Sequence, residues 1–436
     1  MRLALIGTVA LVATAACSLL VRTDDLANGA SDAGISGDSA IGNDAIDSPS
    51  DALGGDSPFG DGDLGEAGDA SFGRPSICDD LGDGLAFGVS SFAVASGWPE
   101  MARDAGVRWR FLYVFVDPTD PAMNDFVLGK KSIANGLEAT LVLVVNDDLV
   151  GRARAKFGSG DDATLDQRAL ADPALMKAWY GDYLSTLATA TRSLSAGKPP
   201  TMVMIEPVLW SYMMWSMKDG GTVVAGRKDP STVPVSVASS GVVEVAAFSN
   251  DGSGFARSLL ALRDLDAKDV RLAFHLPNNA GDRVDVATAF YSKVGRWDLI
   301  VTDELVLDDD RTKWWRPLSS SSAQVAKDEA WLREVSTASG LPIVLWQVEL
   351  GPTDFHLFGE STGRDLVARF MDAGLAGLMW EHLGDGGSPD NFRGKSYPTP
   401  PADPDAGGTA KDLRLRLAAY LKSPLPWPSA NPCGKH

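Results

Sequence analysis

Acidic side chains directly follow two short apolar runs in this sequence. Glu206 comes after Thr201–Ile205, and Glu349 comes after Pro342–Val348. Two carboxylates that face one bond from opposite sides suit the cleavage of a glycosidic linkage. One protonates the leaving oxygen, and the other attacks the anomeric carbon or activates water. Glu206 and Glu349 are therefore the candidate catalytic pair, and a structural salt bridge is the alternative for Glu349.

Other polar and aromatic residues stand at the ends of similar runs or shortly after them. They could bind a substrate through hydrogen bonds or by stacking on sugar rings. The polar side chains could instead be satisfied within the core, and the rings could pack loops. The candidate substrate-binding residues are Asp117, Asn146, Trp210, Tyr212, His275, Asp303 and Trp380.

Eight apolar runs recur along the chain, as expected for parallel strands that are buried on both faces. They are Leu85–Ser90, Val107–Val116, Ala139–Val145, Thr201–Ile205, Val270–Phe274, Leu299–Thr302, Pro342–Val348 and Gly377–Trp380. Helical spacing of apolar residues predicts helices at Ala174–Ser195, Phe255–Leu265, Ala323–Ala338, Arg364–Ala373 and Ala410–Leu421.

This alternation predicts an α/β fold of the (β/α)8 TIM-barrel type. A doubly wound sheet is the alternative, but no glycine-rich phosphate loop follows the first strand. Strands four and seven of a barrel face each other, so Glu206 and Glu349 could share one hollow. The segments Asp147–Asp172 and Ser216–Asn250 are predicted to be loops at the rim that carries barrel active sites.

The N-terminus has the pattern of an export signal. In residues 1–17, Arg2 precedes an apolar run that ends in small residues and Cys17. The end of this run resembles the lipobox of bacterial lipoproteins, although Thr14 stands where a branched aliphatic residue is usual. The resemblance implies lipidation of Cys17 and a membrane anchor on the cell envelope. The alternative is ordinary cleavage near Ala15 or Ala16 and free secretion.

Residues 18–77 are predicted to be a disordered linker. Within them, residues 23–77 contain twelve acidic residues against one basic residue and are rich in Asp, Gly, Ser and Ala. Such a segment buries too little apolar surface to offset its ordering entropy. The net charge of −19 for the whole chain argues against a nucleic-acid partner.

The folded domain is predicted to span residues 78–433. Cys78 and Cys433 stand at its two ends, and an exported chain meets an oxidising compartment. A barrel brings its first and last elements side by side, so a disulfide between these cysteines is expected. No Cys and His residues sit at metal-ligand spacing, and neither a metal nor an organic cofactor is expected.

Several of these strand ends carry motifs of a known superfamily. The chain has Ile205-Glu206-Pro207 after strand four, Glu349-Leu350-Gly351 after strand seven, His275 at strand five and Trp380 at strand eight. The pattern resembles the retaining barrel glycoside hydrolases that include cellulase-like and mannanase-like enzymes.

That resemblance implies that Glu206 is the acid/base and Glu349 the nucleophile. It also implies that Arg108 or Arg110 supports the nucleophile. The superfamily usually has Asn before the acid/base residue to hold the sugar 2-hydroxyl, and Ile205 cannot form that hydrogen bond.

The sequence therefore predicts an exported protein, expected to be a monomer, that hydrolyses a polysaccharide or oligosaccharide. A non-catalytic glycan-binding barrel on the cell surface is the alternative. A metal-dependent hydrolase is disfavoured because the first strand lacks a His-x-His pair.

Overall fold

The computed structural model describes ten parts of the chain. They are residues 76–91, 106–146, 148–215, 229–277, 284–303, 305, 323–348, 357–358, 363–380 and 410–435.

Eight parallel strands form a closed barrel in sequence order, with β8 hydrogen-bonded to β1. The strands are β1 Ala86–Ser90, β2 Trp109–Val116, β3 Thr140–Val145, β4 Thr201–Ile205, β5 Arg271–His275, β6 Leu299–Thr302, β7 Ile343–Val348 and β8 Leu375–Trp380. The predicted (β/α)8 barrel is confirmed, and every predicted strand overlaps an observed one.

Eleven α-helices lie in the described part of the chain. They are α1 Ile77–Leu81, α2 Met123–Leu137, α3 Asp148–Phe157, α4 Asp162–Leu170, α5 Pro173–Arg192, α6 Pro207–Trp215, α7 Gly252–Asp266, α8 Val284–Tyr291, α9 Ala323–Ser339, α10 Gly363–Asp372 and α11 Ala410–Leu421. None of them is both long enough and apolar enough to cross a bilayer.

Alternate residues of each strand enter two different apolar layers. On β4, Met202 and Met204 join the cluster inside the barrel. Val203 and Ile205 join the larger cluster between the strands and the helices. Because both faces of the strands are buried, the sequence of each strand is almost entirely apolar.

The segment Asp147–Asp172 was expected to be an irregular loop, and its described part is largely helical. Helices α3 and α4 fill it, and the side chain of Asp161 caps the first turn of α4 by accepting a hydrogen bond from Thr164 N. These helices carry many charged residues and few apolar ones, so the expected helical stripe is weak.

The amino end of the barrel is closed by the two ends of the folded region. Helix α1 places Cys78 among the side chains inside the barrel, where it is disulfide-bonded to Cys433 as predicted. Arg271, the first residue of β5, contacts Asp80 of α1 at 3.3 Å. Trp427 donates its indole N–H to the carbonyl of Gly82 at 2.6 Å.

Candidate functional site

The inward-facing side chains of β5 and β6 end in a polar pair at the carboxyl edge of the barrel. Ala273 and Val301 lie in the interior cluster, and His275 and Asp303 follow each of them by two residues. His275 is 1% exposed, and the side chain of Asp303 is 29% exposed. The strand alternation therefore carries both side chains to the mouth of the barrel.

Both ring nitrogens of His275 have oxygen partners. Nε2 lies 3.1 Å from Oδ1 of Asp303. Nδ1 lies 2.9 Å from the carbonyl oxygen of Pro207, the first residue of α6. The imidazole is therefore held between the ends of β4 and β6.

An aromatic wall inside the barrel lies beside this pair. The ring of Trp346 on β7 meets the His275 ring edge-on at 5.7 Å between centroids. Tyr113 and Phe115 of β2 each lie 6.2 Å from Trp346. Trp346 is 3% exposed, and its indole N–H has no hydrogen-bond partner among the described residues.

Glu206 lies directly after β4, and its side chain is 2% exposed. Its Oε1 accepts one hydrogen bond from the backbone N–H of Leu149 and one from the indole N–H of Trp179, both at 3.0 Å. Leu149 is in the first turn of α3, and Trp179 is on α5. Both donors belong to helices outside the barrel, so Oε1 joins β4 to the helical layer.

The backbone adopts a left-handed φ value at one predicted catalytic position and another close to the second. Glu206 has φ +44° and Gln347, two residues before Glu349, has φ +51°. The pairing of β7 with β8 is irregular between Leu345 and Val348, which is typical of a β-bulge. The third non-glycine residue with positive φ in the described chain is Glu138, which ends α2.

Acidic groups also meet at the ends of β2 and β3. Burial raises the pKa of Asp148, the charge and hydrogen bond of Arg152 oppose this shift, and the charge of Asp117 adds to it. Arg152 Nε lies 3.1 Å from each carboxylate oxygen of Asp148. Asp117 itself is exposed, and its Oδ1 accepts hydrogen bonds from the backbone and side chain of Thr119. Asn146 is half-buried directly after β3.

Trp210 does not lie at the rim, contrary to the expectation that it stacks on a sugar. The side chain is 0% exposed, and its indole N–H donates to the carbonyl of Ile205 at 2.8 Å. Its ring packs against Phe274 at 4.9 Å and Phe255 at 5.3 Å. The indole of Trp210 points from α6 into the layer between the strands and the helices. Aromatic side chains of the protein, and not a sugar, therefore contact the indole ring.

Trp380 is also displaced from its expected place. It is 0% exposed and belongs to the larger cluster between the strands and the helices. There its ring centroid lies 5.8 Å from that of Phe87 and 6.4 Å from that of Phe358. The neighbouring residue Met379 points into the barrel instead. Tyr212 of α6 is buried, with 5% of its surface exposed.

The strand-two arginines lie at the opposite end of the barrel from the predicted site. Arg108 precedes β2, and Arg110 is the second residue of that strand. The Arg110 guanidinium packs against Gly82, beside α1. Because this is the amino end of the strands, neither arginine can support a group at the carboxyl rim.

Some predicted residues lie outside the described parts of the chain. These are Glu349, the lipidation candidate Cys17, and the linker as far as residue 75. In the parts that are described, no group of three or more His, Cys, Asp or Glu side chains is arranged to hold a metal ion.

Sequence reasoning missed three residues that shape this site. None of Trp179, Leu149 and Trp346 was predicted to lie at the site. Alternation within Pro342–Val348 placed Trp346 on one face of the strand but did not show which face lies inside the barrel. No sequence signal pointed to the contacts of Trp179 and Leu149 with Glu206, since they join residues 27 and 57 positions apart.

Comparison with known proteins gives a likeness of fold. No protein-family model and no curated protein matches the sequence. One of two fungal β-1,4-galactanases is 13% identical, with 77% of this chain and 99% of that chain covered and a TM-score of 0.43. A Bacillus sp. JAMB-750 GH26 endo-β-1,4-mannanase catalytic domain is 12% identical, with 80% and 90% covered and a TM-score of 0.45.

A Rhizobium etli pyruvate carboxylase is 11% identical, with 79% of this chain and 28% of that chain covered and a TM-score of 0.33. These similarities describe the barrel architecture alone and carry no argument about the substrate of this chain.

Proposed function

We propose that this chain is an exported barrel that hydrolyses glycosidic bonds at the carboxyl ends of its strands. The observation that carries the proposal is the left-handed backbone at Glu206 and Gln347. Such φ values cost about 1–3 kcal/mol each and persist where the surrounding structure imposes them, often at active sites. Here they occur at the ends of β4 and β7, the strands that precede Glu206 and Glu349.

The chemistry of the mouth fits a neutral, hydroxyl-rich substrate. His275 and Asp303 supply polar atoms, and Trp346 supplies an aromatic surface beside them. In this proposal Glu206 exchanges protons with the glycosidic oxygen, and Glu349 attacks the anomeric carbon or activates water. The signal-like residues 1–17 favour export, with Cys17 as the point of lipid attachment.

The geometry of Glu206 favours a second candidate function, a barrel that binds glycans without cleaving them. A carboxylate that accepts two N–H donors from the helical layer already has a structural role. Hydrogen bonds to charged groups contribute about 1.5–3 kcal/mol each, so loss of either donor would destabilise the folded protein. Glu206 would therefore contribute to the stability of the fold even in a protein that does not catalyse a reaction.

The test is release of reducing ends from glucans, mannans and xylans by the purified protein. We expect Glu349→Gln and Glu206→Gln each to lower turnover by about 10²-fold or more, since acid–base groups contribute factors of this size. Gln keeps an oxygen that accepts hydrogen bonds at position 206, so circular dichroism should show a folded protein.

Glu138→Gln is the matched control. Glu138 is exposed, has φ +57° and ends α2, remote from the carboxyl rim. The Glu138→Gln variant should retain full activity. Full activity in both Glu206→Gln and Glu349→Gln would refute the catalytic pair. Glycan affinity without turnover in the unaltered protein would establish the binding function instead.

A further inference from the structure

Strand β2 directs a series of alternate aromatic side chains into the barrel. Phe111 and Tyr113 belong to the interior cluster and are 0% exposed, and Phe115 packs against the same cluster from the next inward position. Unlike the other two, Phe115 is only half-buried. Its exposed surface therefore lies at the carboxyl end of the interior, where barrel active sites are found.

Two aromatic neighbours fix the position of the Phe115 ring. The ring of Tyr113 meets it edge-on with 6.0 Å between centroids, and the tilted ring of Trp346 lies 6.2 Å away. Trp346 belongs to β7, which is separated from β2 by β1 and β8 around the barrel, so this contact crosses the interior. A ring that is already held in place loses little side-chain entropy when a ligand packs on it.

An exposed carboxylate follows this ring along the chain. Asp117 comes two residues after Phe115, just beyond the end of β2. Its Oδ1 accepts hydrogen bonds from the backbone N–H of Thr119 at 2.8 Å and from the Thr119 hydroxyl at 2.6 Å. These contacts orient the group through one of its oxygens. A carboxylate has about four acceptor positions on its two oxygens, so Asp117 can also accept a hydrogen bond from a ligand.

An exposed apolar ring near an exposed acceptor fits a ligand that has both a C–H face and hydroxyl donors. A pyranose ring has both features. The charge of the rim favours a neutral ligand, because Asp117, Asp148 and Asp303 all follow strands at this end of the barrel and would repel an anion. The guanidinium of Arg152 is already paired with Asp148 and Asp182.

We propose that Phe115 and Asp117 form a binding subsite for one sugar unit of a neutral oligosaccharide, with the unit stacked on Phe115 and a hydroxyl group donating to Asp117. The inference deepens the proposed function and rests on it for the class of ligand. The subsite binds sugar and takes no part in bond cleavage, so it stabilises the ground state and the transition state equally. Its loss should raise KM and leave kcat nearly unchanged.

The test combines calorimetric titration with steady-state hydrolysis of cellohexaose, mannohexaose and xylohexaose. Phe115→Leu keeps an apolar side chain but removes the flat ring, and we expect it to weaken binding about three- to tenfold. Phe115→Tyr keeps the ring and should bind like the unaltered protein. Phe126→Leu is the matched control, since Phe126 is 43% exposed on α2, and it should also bind normally.

Proton spectra of the bound sugar give a readout that a change in packing would not imitate. Sugar protons held against the face of Phe115 should move upfield on binding because of the ring current, and this shift should disappear in Phe115→Leu. Absence of the upfield shift in the unaltered protein would overturn the stacking, even if Phe115→Leu failed to fold.

Asp117→Asn tests the second half of the subsite. Its amide oxygen can still accept from Thr119, while the charged acceptor for the ligand is lost, so binding should weaken about tenfold. Asp125→Asn, an exposed residue in the first turn of α2, is the control and should bind normally.

Unchanged affinity in either Phe115→Leu or Asp117→Asn would overturn the role of that residue and leave the proposed hydrolysis intact. Binding that depends on both residues, without turnover of any oligosaccharide, would support the subsite and refute hydrolysis. A failure of every oligosaccharide to bind to the unaltered protein would overturn both.

Discussion

Lys131 shows how one buried side chain can make stability depend on pH. It lies on α2 with 3% of its surface exposed. Its Nζ donates to the carbonyl of Pro199 at 2.6 Å and to that of Pro200 at 3.0 Å. These contacts join α2 to the segment before β4. Burial lowers the pKa of Lys131 from 10.5 to about 8.

Replacement of Lys131 by Met should change the slope of stability against pH. Between about pH 8 and pH 10.5 the unfolded chain keeps a proton that the folded chain has lost, so unfolding becomes less favourable as the pH rises. The unaltered protein should gain up to about 3 kcal/mol over this interval relative to Lys131→Met. Urea denaturation at a series of pH values measures this difference.

Lys268→Met makes the same chemical change at an exposed position and should keep the slope of the unaltered protein. Parallel curves for Lys131→Met and the unaltered protein would show that burial does not perturb this amine.

The orientation of individual side chains was only partly predictable from the sequence. His275 and Asp303 were predicted as rim residues, and they follow the inward-facing series of their strands. Trp210 and Trp380 were assigned to the same rim but face the helical layer. An apolar run that is buried on both faces gives no signal for which alternate residue points inward, so these orientations depended on packing and bulges.

At the scale of elements, the capping of α5 illustrates how local sequence sets a helix boundary. Asp172 precedes this helix, and Pro173 occupies its first turn. The Oδ1 of Asp172 accepts hydrogen bonds from the N–H groups of Ala174 and Leu175, each at 3.0 Å. A hydrogen bond from Lys156 and the backbone donors lower the pKa of Asp172.

Replacement of Asp172 by Ala should lower the free energy of unfolding by about 1 kcal/mol, the usual effect of losing an N-cap. Asp172→Asn keeps an acceptor oxygen and should lose less. The pKa of Asp172 is lowered in the folded state, so the ionised cap stabilises the protein fully at pH values above the ordinary carboxyl pKa. This stabilisation is lost as the pH falls towards the lowered pKa of the folded protein. Thermal unfolding at neutral and acidic pH measures both effects.

Asp266→Ala is the control for this experiment, because Asp266 is exposed at the last position of α7. A carboxylate at a helix C-terminus is unfavourable, so its removal should be neutral or slightly stabilising. Equal losses in Asp172→Ala and Asp266→Ala would argue against a capping effect.

Strongly periodic helices and apolar strands were recognised within a few residues of their observed bounds. Thr201–Ile205, Leu299–Thr302 and Ala410–Leu421 match the structure at both ends. Helix α2 was missed although it spans Met123–Leu137, and the helices between residues 148 and 170 were taken for a loop. Their polar surfaces weaken the helical pattern, and tertiary contacts supply the missing stability.

At the scale of the whole molecule, the ends of the folded region close the amino end of the barrel. Cys78 and Cys433 are 355 residues apart in sequence and are joined by a disulfide among the interior side chains. Asn431 adds hydrogen bonds to the carbonyls of Met371 and Leu375, at 2.7 Å and 3.2 Å. These contacts lie away from the carboxyl rim that holds the candidate site.

The double substitution Cys78→Ser and Cys433→Ser should lower the free energy of unfolding by about 2–4 kcal/mol, because the crosslink restricts the unfolded chain. Glycan affinity or turnover should remain unchanged in conditions where the variant is folded. Guanidinium denaturation and the substrate assay provide the two readouts. A large loss of activity in a folded variant would show that the amino end influences the rim.

The sequence by itself determined parallel strands that are buried on both faces, because eight apolar runs alternate with helical segments, and it favoured a barrel over a doubly wound sheet. It also indicated the terminal disulfide and the strand ends where polar residues gather. Only the tertiary structure decided which partners those residues have. The Glu206 carboxylate meets two donors from α3 and α5, and His275 is held between Asp303 and a carbonyl of α6. These contacts join residues that are distant in sequence, so local pattern and propensity carry no information about them.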